Sequence, residues 1–154
     1  MTQTRREMLQ RSAAVAGMLA SLGLLPQLAH ANTWNKAAFD AKNMADLMKA
    51  LGTSAPAESK DVTITGPDIA ENGAVVPIGA STTLPGVKQL LLLVEKNPST
   101  LVAMFNVTDS IDATIATRAK MGQSSDVFAV AIMADGRALF AKKEIKVTLG
   151  GCGG

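Results

Sequence analysis

Tyrosine is absent from these 154 residues, and only five aromatic side chains, four Phe and one Trp, are present. Base stacking needs aromatic faces and phosphate neutralisation needs clustered Lys and Arg. The chain has neither, which sets nucleic-acid binding aside. Histidine and cysteine each occur once, as His30 and Cys152. A lone cysteine cannot build an internal disulfide framework. Charge is sparse, at 18% against 47% hydrophobic residues, a balance that excludes disorder and indicates one globular domain. Fifteen basic residues face thirteen acidic ones, but Arg5, Arg6, Arg11 and Glu7 crowd the first eleven positions. The remainder is balanced at twelve of each sign.

Residues 1–31 form a processing signal. Paired arginines in Thr4-Arg5-Arg6-Glu7-Met8-Leu9-Gln10 precede an apolar run from Ser12 to Leu25, then Pro26 and the small-x-small triplet Ala29-His30-Ala31. This is the pattern of a twin-arginine secretory signal peptide. The apolar run, at about fourteen residues, is short of the roughly 20 that a spanning helix needs. Export to the periplasm in the folded state is therefore expected, with no membrane insertion after cleavage. Cleavage behind Ala31 leaves 123 residues from Asn32 onward and discards the only histidine. Imidazole-based triads, haem ligation by histidine and most zinc sites go with it. No catalytic residue, metal ligand or cofactor is assigned. Since this route carries folded proteins and no cofactor ligands are in sight, assembly with a second subunit before export is the expected reason for using it.

The body is expected to be mainly β: an immunoglobulin-like β-sandwich of seven or eight strands preceded by one N-terminal helix. Residues 32–60 supply the helix and a linker. Apolar spacing at Trp34, Ala38, Ala41, Ala45 and Met48 predicts a helix over Trp34 to Leu51, with Thr33 as N-cap, Gly52 as C′ and the Met44, Met48, Leu51 stripe facing the core. Residues 61–149 change to a period of two. Strands are predicted around Val62 and Ile64, Val76 and Ile78, Leu90 to Val94, Leu101 to Val107, Ile111 to Met121, Val127 to Met133, Arg137 to Phe140, and Ile145 to Leu149. Asp135-Gly136 is predicted to be a two-residue hairpin turn with both residues at positive φ.

Residues 150–154 carry the chemistry. Gly150-Gly151-Cys152-Gly153-Gly154 surrounds the one thiol with residues that cannot pack a core. An arm without Cβ atoms is only a backbone wide and can thread a narrow channel in another protein. Three extended residues past Leu149 carry the sulfur about 10 Å from the body. No base or cation in the sequence neighbourhood lowers the thiol pKa, so from a reference near 8.5 only about 3% is thiolate at pH 7. Activation must come from a partner's site. Cys152 is thus expected to hold covalent cargo that other proteins process.

This terminal pentapeptide, on an exported sandwich of this size, resembles the SoxY family, the cysteine-bearing subunits of the sulfur-oxidation carrier complex. Similar to that family as well are Ile69-Ala70-Glu71-Asn72-Gly73 leading to Val76-Pro77-Ile78, Glu95-Lys96-Asn97-Pro98, Thr117-Arg118-Ala119-Lys120-Met121 and Val147-Thr148-Leu149. The resemblance implies that a c-type cytochrome pair, SoxAX, joins thiosulfate to Cys152, that the hydrolase SoxB releases sulfate, and that the sulfane dehydrogenase SoxCD or an equivalent handles the remaining sulfur. It implies a heterodimer with a SoxZ-like subunit, with Gly150, Gly151, Gly153 and Gly154 as a flexible arm and covalent sulfur adducts in place of a cofactor.

Arg118 and Lys120 share a strand face and are the candidate docking residues, although an ordinary solvated face is the expected role. Glu71-Asn72-Gly73 and Asn97-Pro98 read as turns. Two rival functions stay open. One is a carrier activated at its terminal Gly-Gly carboxylate, and the other an exported structural module that uses Cys152 for an intermolecular disulfide.

Overall fold

The computed structural model describes residues 5–21 and 35–149, in two units that divide between Trp34 and Asn35. The first holds α1 (Arg5–Ser21), which begins at the paired arginines and carries much of the apolar run. No helix among the described residues is long and apolar enough to cross a membrane. The expected cleavage site, Thr33 and Trp34 lie outside the described residues.

In the second unit the single helix expected over Trp34 to Leu51 is instead two, α2 (Lys36–Asp40) and α3 (Met44–Leu51). Each starts at an asparagine whose side chain accepts a backbone N–H three residues on. Asn35 takes that of Ala38 at 3.1 Å, and Asn43 takes that of Asp46 at 2.8 Å. Such caps satisfy amides that have no partner within the helix. The internal cap at Asn43 restarts the helix and shifts its phase. Leu47 therefore joins Met48 in the core, while Ala45 is exposed. Gly52 ends α3 in the left-handed region at φ 68°, as expected.

Among the described residues nine strands follow: β1 (Ala57–Glu58), β2 (Val62–Thr65), β3 (Ile69–Asn72), β4 (Val76–Thr82), β5 (Val87–Val94), β6 (Leu101–Asn106), β7 (Thr114–Ala119), β8 (Ser125–Met133) and β9 (Ala138–Leu149). One sheet runs β1-β9-β8-β5-β6, with β3 also paired to β9. The other runs β2-β4-β7. The two stack as the expected sandwich, with β2 over β8 and β9 and β4 over β5 and β8.

The core explains the leucine run. Leu90, Leu92 and Val94 of β5 point between the sheets with Val76, Ile78, Val127 and Ala129. Leu91 and Leu93 point the other way, against Leu47 and Met48 of α3 and Val130 and Ile132 of β8. All five β5 residues are fully buried, each contributing about 1.5–3 kcal/mol by burial. A helical layer on the outer sheet face is what permits a strand without polar alternation.

Three strand expectations change. The long strand over Ile111 to Met121 shrinks to β7, because its partner β4 ends at Thr82 and the chain before Thr114 turns on bonds from Ile111 N to Thr108 O and from Thr114 N to Asp112 O. Arg137 to Phe140 and Ile145 to Leu149 fuse into β9. The polar residues between them stay in the ladder with β8, and Lys142 lies 3.4 Å from Asp126. The β8–β9 turn is a three-residue loop over Ala134 to Gly136, in which only Gly136 has positive φ, at 85°. Gly136 N donates to Met133 O at 3.1 Å and Met133 N to Arg137 O at 2.9 Å. A bulge-type loop of this length needs one left-handed residue, not two.

Two substitutions test this packing. A Cβ on Gly79, in the middle of β4, would lie 2.6 Å from Thr65 Oγ1 and 2.8 Å from Ile115 O. Gly79→Ala is expected to lower stability by about 1–3 kcal/mol in a denaturant melt, and an unchanged midpoint would contradict the close approach of these strands. Asn43→Ala is expected to cost about 1 kcal/mol. No loss of stability there would mean that the break between α2 and α3 does not depend on the cap.

Candidate functional site

The C-terminal strand runs past its sheet. β8 accompanies β9 only from Ala138 to Ile145, paired with Ile132 to Ser125, and the last four residues continue beyond it. β3 takes over on the opposite edge. It pairs parallel with Ile69 beside Lys146, Ala70 beside Val147 and Asn72 beside Leu149. β1 lies parallel to the start of β9 in the same way, with Ala57 beside Leu139, and such parallel pairs need long crossovers, supplied here by the rest of the sandwich. Sequence reasoning took Glu71-Asn72-Gly73 for a turn and missed this strand. Four residues opening with exposed Ile69 do not alternate strongly enough to show it.

Gly73 closes the clamp. Its amide donates to Leu149 O at 2.8 Å, and its carbonyl accepts from Met121 N at 2.7 Å. Thr148 Oγ1 donates to Glu71 O at 2.9 Å, Lys146 N to Asp68 O at 3.0 Å and Val147 N to Ser124 Oγ at 2.9 Å. Asn72 Oδ1 accepts from Ala74 N at 2.8 Å, which turns the chain toward β4. Further round the same end, Asn97 Nδ2 donates to Lys120 O at 2.7 Å. The chain is therefore fixed up to Leu149, the residue before Gly150. Cys152, Gly150, Gly151, Gly153 and Gly154 lie outside the described residues.

Arg118 and Lys120 are both exposed and flank the buried Ala119 at the end of β7, so they share the outward side as expected. Arg118 stands beside Pro77 of β4. Lys120 is one residue from Met121 and so two backbone hydrogen bonds from Leu149. Exposed apolar side chains also gather at this end, with Ile69 on β3, Val75 after the turn and Leu149 itself.

One ion pair braces the clamp. Lys143 Nζ on β9 reaches Asp68 Oδ1 at 2.8 Å and donates to Gly66 O at 2.6 Å, tying the β2–β3 connection to β9. The hydrogen bond from Lys143, and then its charge, hold the Asp68 carboxyl below the usual carboxylate range. Among the described residues no three of His, Cys, Asp or Glu gather as a metal-ligand set. A cavity of about 440 Å³ opens at the other end of the sandwich, lined by residues such as Thr82, Thr108 and Thr114, away from the arm root.

This arrangement joins segments far apart in sequence. Ile69–Gly73, Asn97, Lys120-Met121 and Val147–Leu149 are hydrogen-bonded to one another around the root of the terminal glycines. The family described as sulfur oxidation protein SoxY matches residues 47–152, a span that takes in all of them and ends on the thiol. The chain belongs to the SoxY family. Among solved structures it is similar to the sulfur carrier protein SoxY from Chlorobium limicola f thiosulfatophilum, at 30% identity and a TM-score of 0.61, over 68% of this chain and 94% of that one. A superoxide reductase (neelaredoxin) from Ignicoccus hospitalis superposes with a TM-score of 0.50 over 56% of this chain and 79% of its own, at 16% identity. That second likeness is one of fold alone. No curated protein matches the sequence. In this SoxY family member the last described strand is clamped up to Leu149, three residues before Cys152 in the sequence.

The Lys143–Asp68 brace makes the clamp pH-dependent in a definite direction. A carboxyl whose folded pKa lies below its ordinary value of 3.8 adds stability above that value and loses it as pH falls through the folded pKa. Asp68→Asn is expected to lower the Tm modestly at pH 7, and the difference from the parent protein should fade as the pH is taken well below 3.8. A difference that persists unchanged at low pH would show that the ion pair does not brace the clamp.

Proposed function

We propose that this protein is a periplasmic carrier that holds thiosulfate-derived sulfur covalently on Cys152 and presents it to other proteins of sulfur oxidation. The observation that carries the reading is the family match running to Cys152, together with the clamp that fixes the strand only three residues before that thiol. Membership of a carrier family supports a role as a substrate-bearing subunit, not as an enzyme.

The chemistry follows from the thiol and its setting. The Cys152 thiolate joins the outer sulfur of thiosulfate, forming one S–S bond and releasing two electrons to a c-type cytochrome pair of the SoxAX kind. Water then cleaves the terminal S–S bond in a SoxB-like hydrolase. Sulfate and two protons leave, and a persulfide stays on the cysteine. A SoxCD-like sulfane dehydrogenase or an equivalent route removes what remains. With about 3% thiolate at neutral pH, each partner must supply the base or positive field that activates the sulfur. Gly150, Gly151, Gly153 and Gly154 let the arm enter a channel too narrow for side chains. Because the twin-arginine route exports folded proteins, the SoxZ-like subunit is proposed to assemble with this chain before export.

Cys152→Ser tests the proposal. The variant is expected to fold with an unchanged Tm and to pair with the SoxZ-like subunit, yet to reduce thiosulfate oxidation in a reconstituted system to background. Intact-mass measurement of the parent protein should show sulfur adducts that reductant removes. Full turnover by the serine variant, or adducts confined to the terminal carboxyl, would overturn the reading.

A further inference from the structure

An asparagine followed by glycine is where a backbone most readily attacks its own side chain, because no Cβ stands beside the attacking nitrogen. Among the described asparagines only Asn72 has a glycine after it. Asn35 and Asn43 precede Lys36 and Met44, Asn97 precedes Pro98, whose nitrogen carries no hydrogen, and Asn106 precedes the β-branched Val107. Asn72 is exposed and ends β3, at the point where the clamp meets Leu149.

The geometry activates one partner of this reaction and restrains the other. Ala74 N donates to Asn72 Oδ1 at 2.8 Å, which polarises the side-chain carbonyl and faces the oxygen that gathers charge when Cγ is attacked. Gly73 N, the nucleophile, is tied to Leu149 O at 2.8 Å. Its approach to Cγ also requires Asn72 to rotate out of the extended conformation it holds opposite Leu149. Attack is therefore closed to the clamped strand and open once Leu149 peels away. The end of a strand is where such local opening requires least free energy.

We propose that Asn72 is a self-modification site gated by the clamp, and that its conversion to isoaspartate marks an arm root that has opened. When Leu149 releases Gly73, the Gly73 nitrogen loses its proton and bonds to Asn72 Cγ. The Cγ–Nδ2 bond breaks, and ammonia leaves with that proton. The cyclic imide then takes up one water, which opens it at either carbonyl. Opening at Cγ gives aspartate, whereas opening at the backbone carbonyl routes the chain through Cγ as isoaspartate. No oxidant, reductant or enzyme enters the balance. Isoaspartate puts an extra carbon in the main chain before Gly73, so Gly73 cannot bond Leu149 O and Met121 N while Ile69 and Ala70 keep their register. It also adds a negative charge beside Glu71. An opening that was reversible thereby becomes permanent. The modification is independent of the carrier reading, and only its consequence for sulfur transfer rests on it.

Incubation of the purified protein in mildly alkaline buffer, with mapping of the tryptic peptide 61–88 and assay with an isoaspartyl methyltransferase, tests it. A mass gain of water less ammonia is expected at Asn72 ahead of every other described asparagine, whereas isomerisation at Asp135-Gly136 leaves the mass unchanged. The same peptide in urea-unfolded protein is expected to react at least about tenfold faster, because only the open fraction reacts in the folded chain. Thr148→Val, which removes the Oγ1 bond to Glu71 O, should raise the folded rate about fivefold. Freshly prepared Asn72→Asp, with its backbone unlengthened, should keep the Gly73 amide exchanging as slowly as in the parent, while isoaspartyl protein should exchange it about tenfold faster. Equal rates in folded and unfolded protein overturn the proposal. So does a folded chain that never reacts, a Thr148→Val rate that matches the parent, or isoaspartyl protein whose Gly73 exchanges as in the parent.

Discussion

The parallel pairing of β3 with the last four residues of β9 is the constraint on which the candidate functional end of the molecule depends. β9 outruns β8 at Ile145, and without β3 its remaining amides and carbonyls would have no ladder. Gly73 completes the arrangement by bonding Leu149 with its amide and Met121 with its carbonyl. The terminal glycines thus begin from a fixed point. For the proposed carrier, that fixed point, three residues before Cys152 in the sequence, would give each partner a defined place from which to receive the thiol.

The rest of the fold keeps that point in place with ordinary packing. β5 and β8 are buried on both faces, by β2 and β4 on one side and by α2 and α3 on the other, which makes three layers around two apolar clusters. The pole that holds the candidate site uses little of this buried apolar material. It is built from backbone hydrogen bonds, the side chains of Asn97, Ser124 and Thr148, and the Lys143–Asp68 ion pair. This division suits the proposed carrier, whose thiol needs a rigid stalk while its partners contribute acid, base and electron transfer. The superoxide reductase likeness, one of fold alone, shows that a similar sandwich occurs in another protein.

Local signals decided what was legible. The strands with strong alternation or continuous apolar runs, β2, β4, β5, β6 and β8, stand where the sequence predicts them, and Gly52 ends its helix as predicted. Asn43 was overlooked because a periodicity argument averages over the helix and passes through a cap that acts at one residue. The fusion of two predicted strands into β9 was hidden by Lys142, Lys143 and Glu144. Their side chains are polar because they meet solvent and loop groups, not because the ladder stops. Arg118 and Lys120 were placed correctly on one exposed side, since alternation alone settles that.

By itself the sequence determined the two-sheet class, the apolar strands that fill it, the family, and the single thiol framed by glycines, because each of these is a property of composition or of residues near one another in the chain. Only the tertiary structure decided that Gly73 and Ser124 hold the root of those glycines, that β3 is a strand, and that β6 is left as an open edge. Parallel pairing and edge exposure depend on which distant segments come to lie side by side, and no local spacing records that.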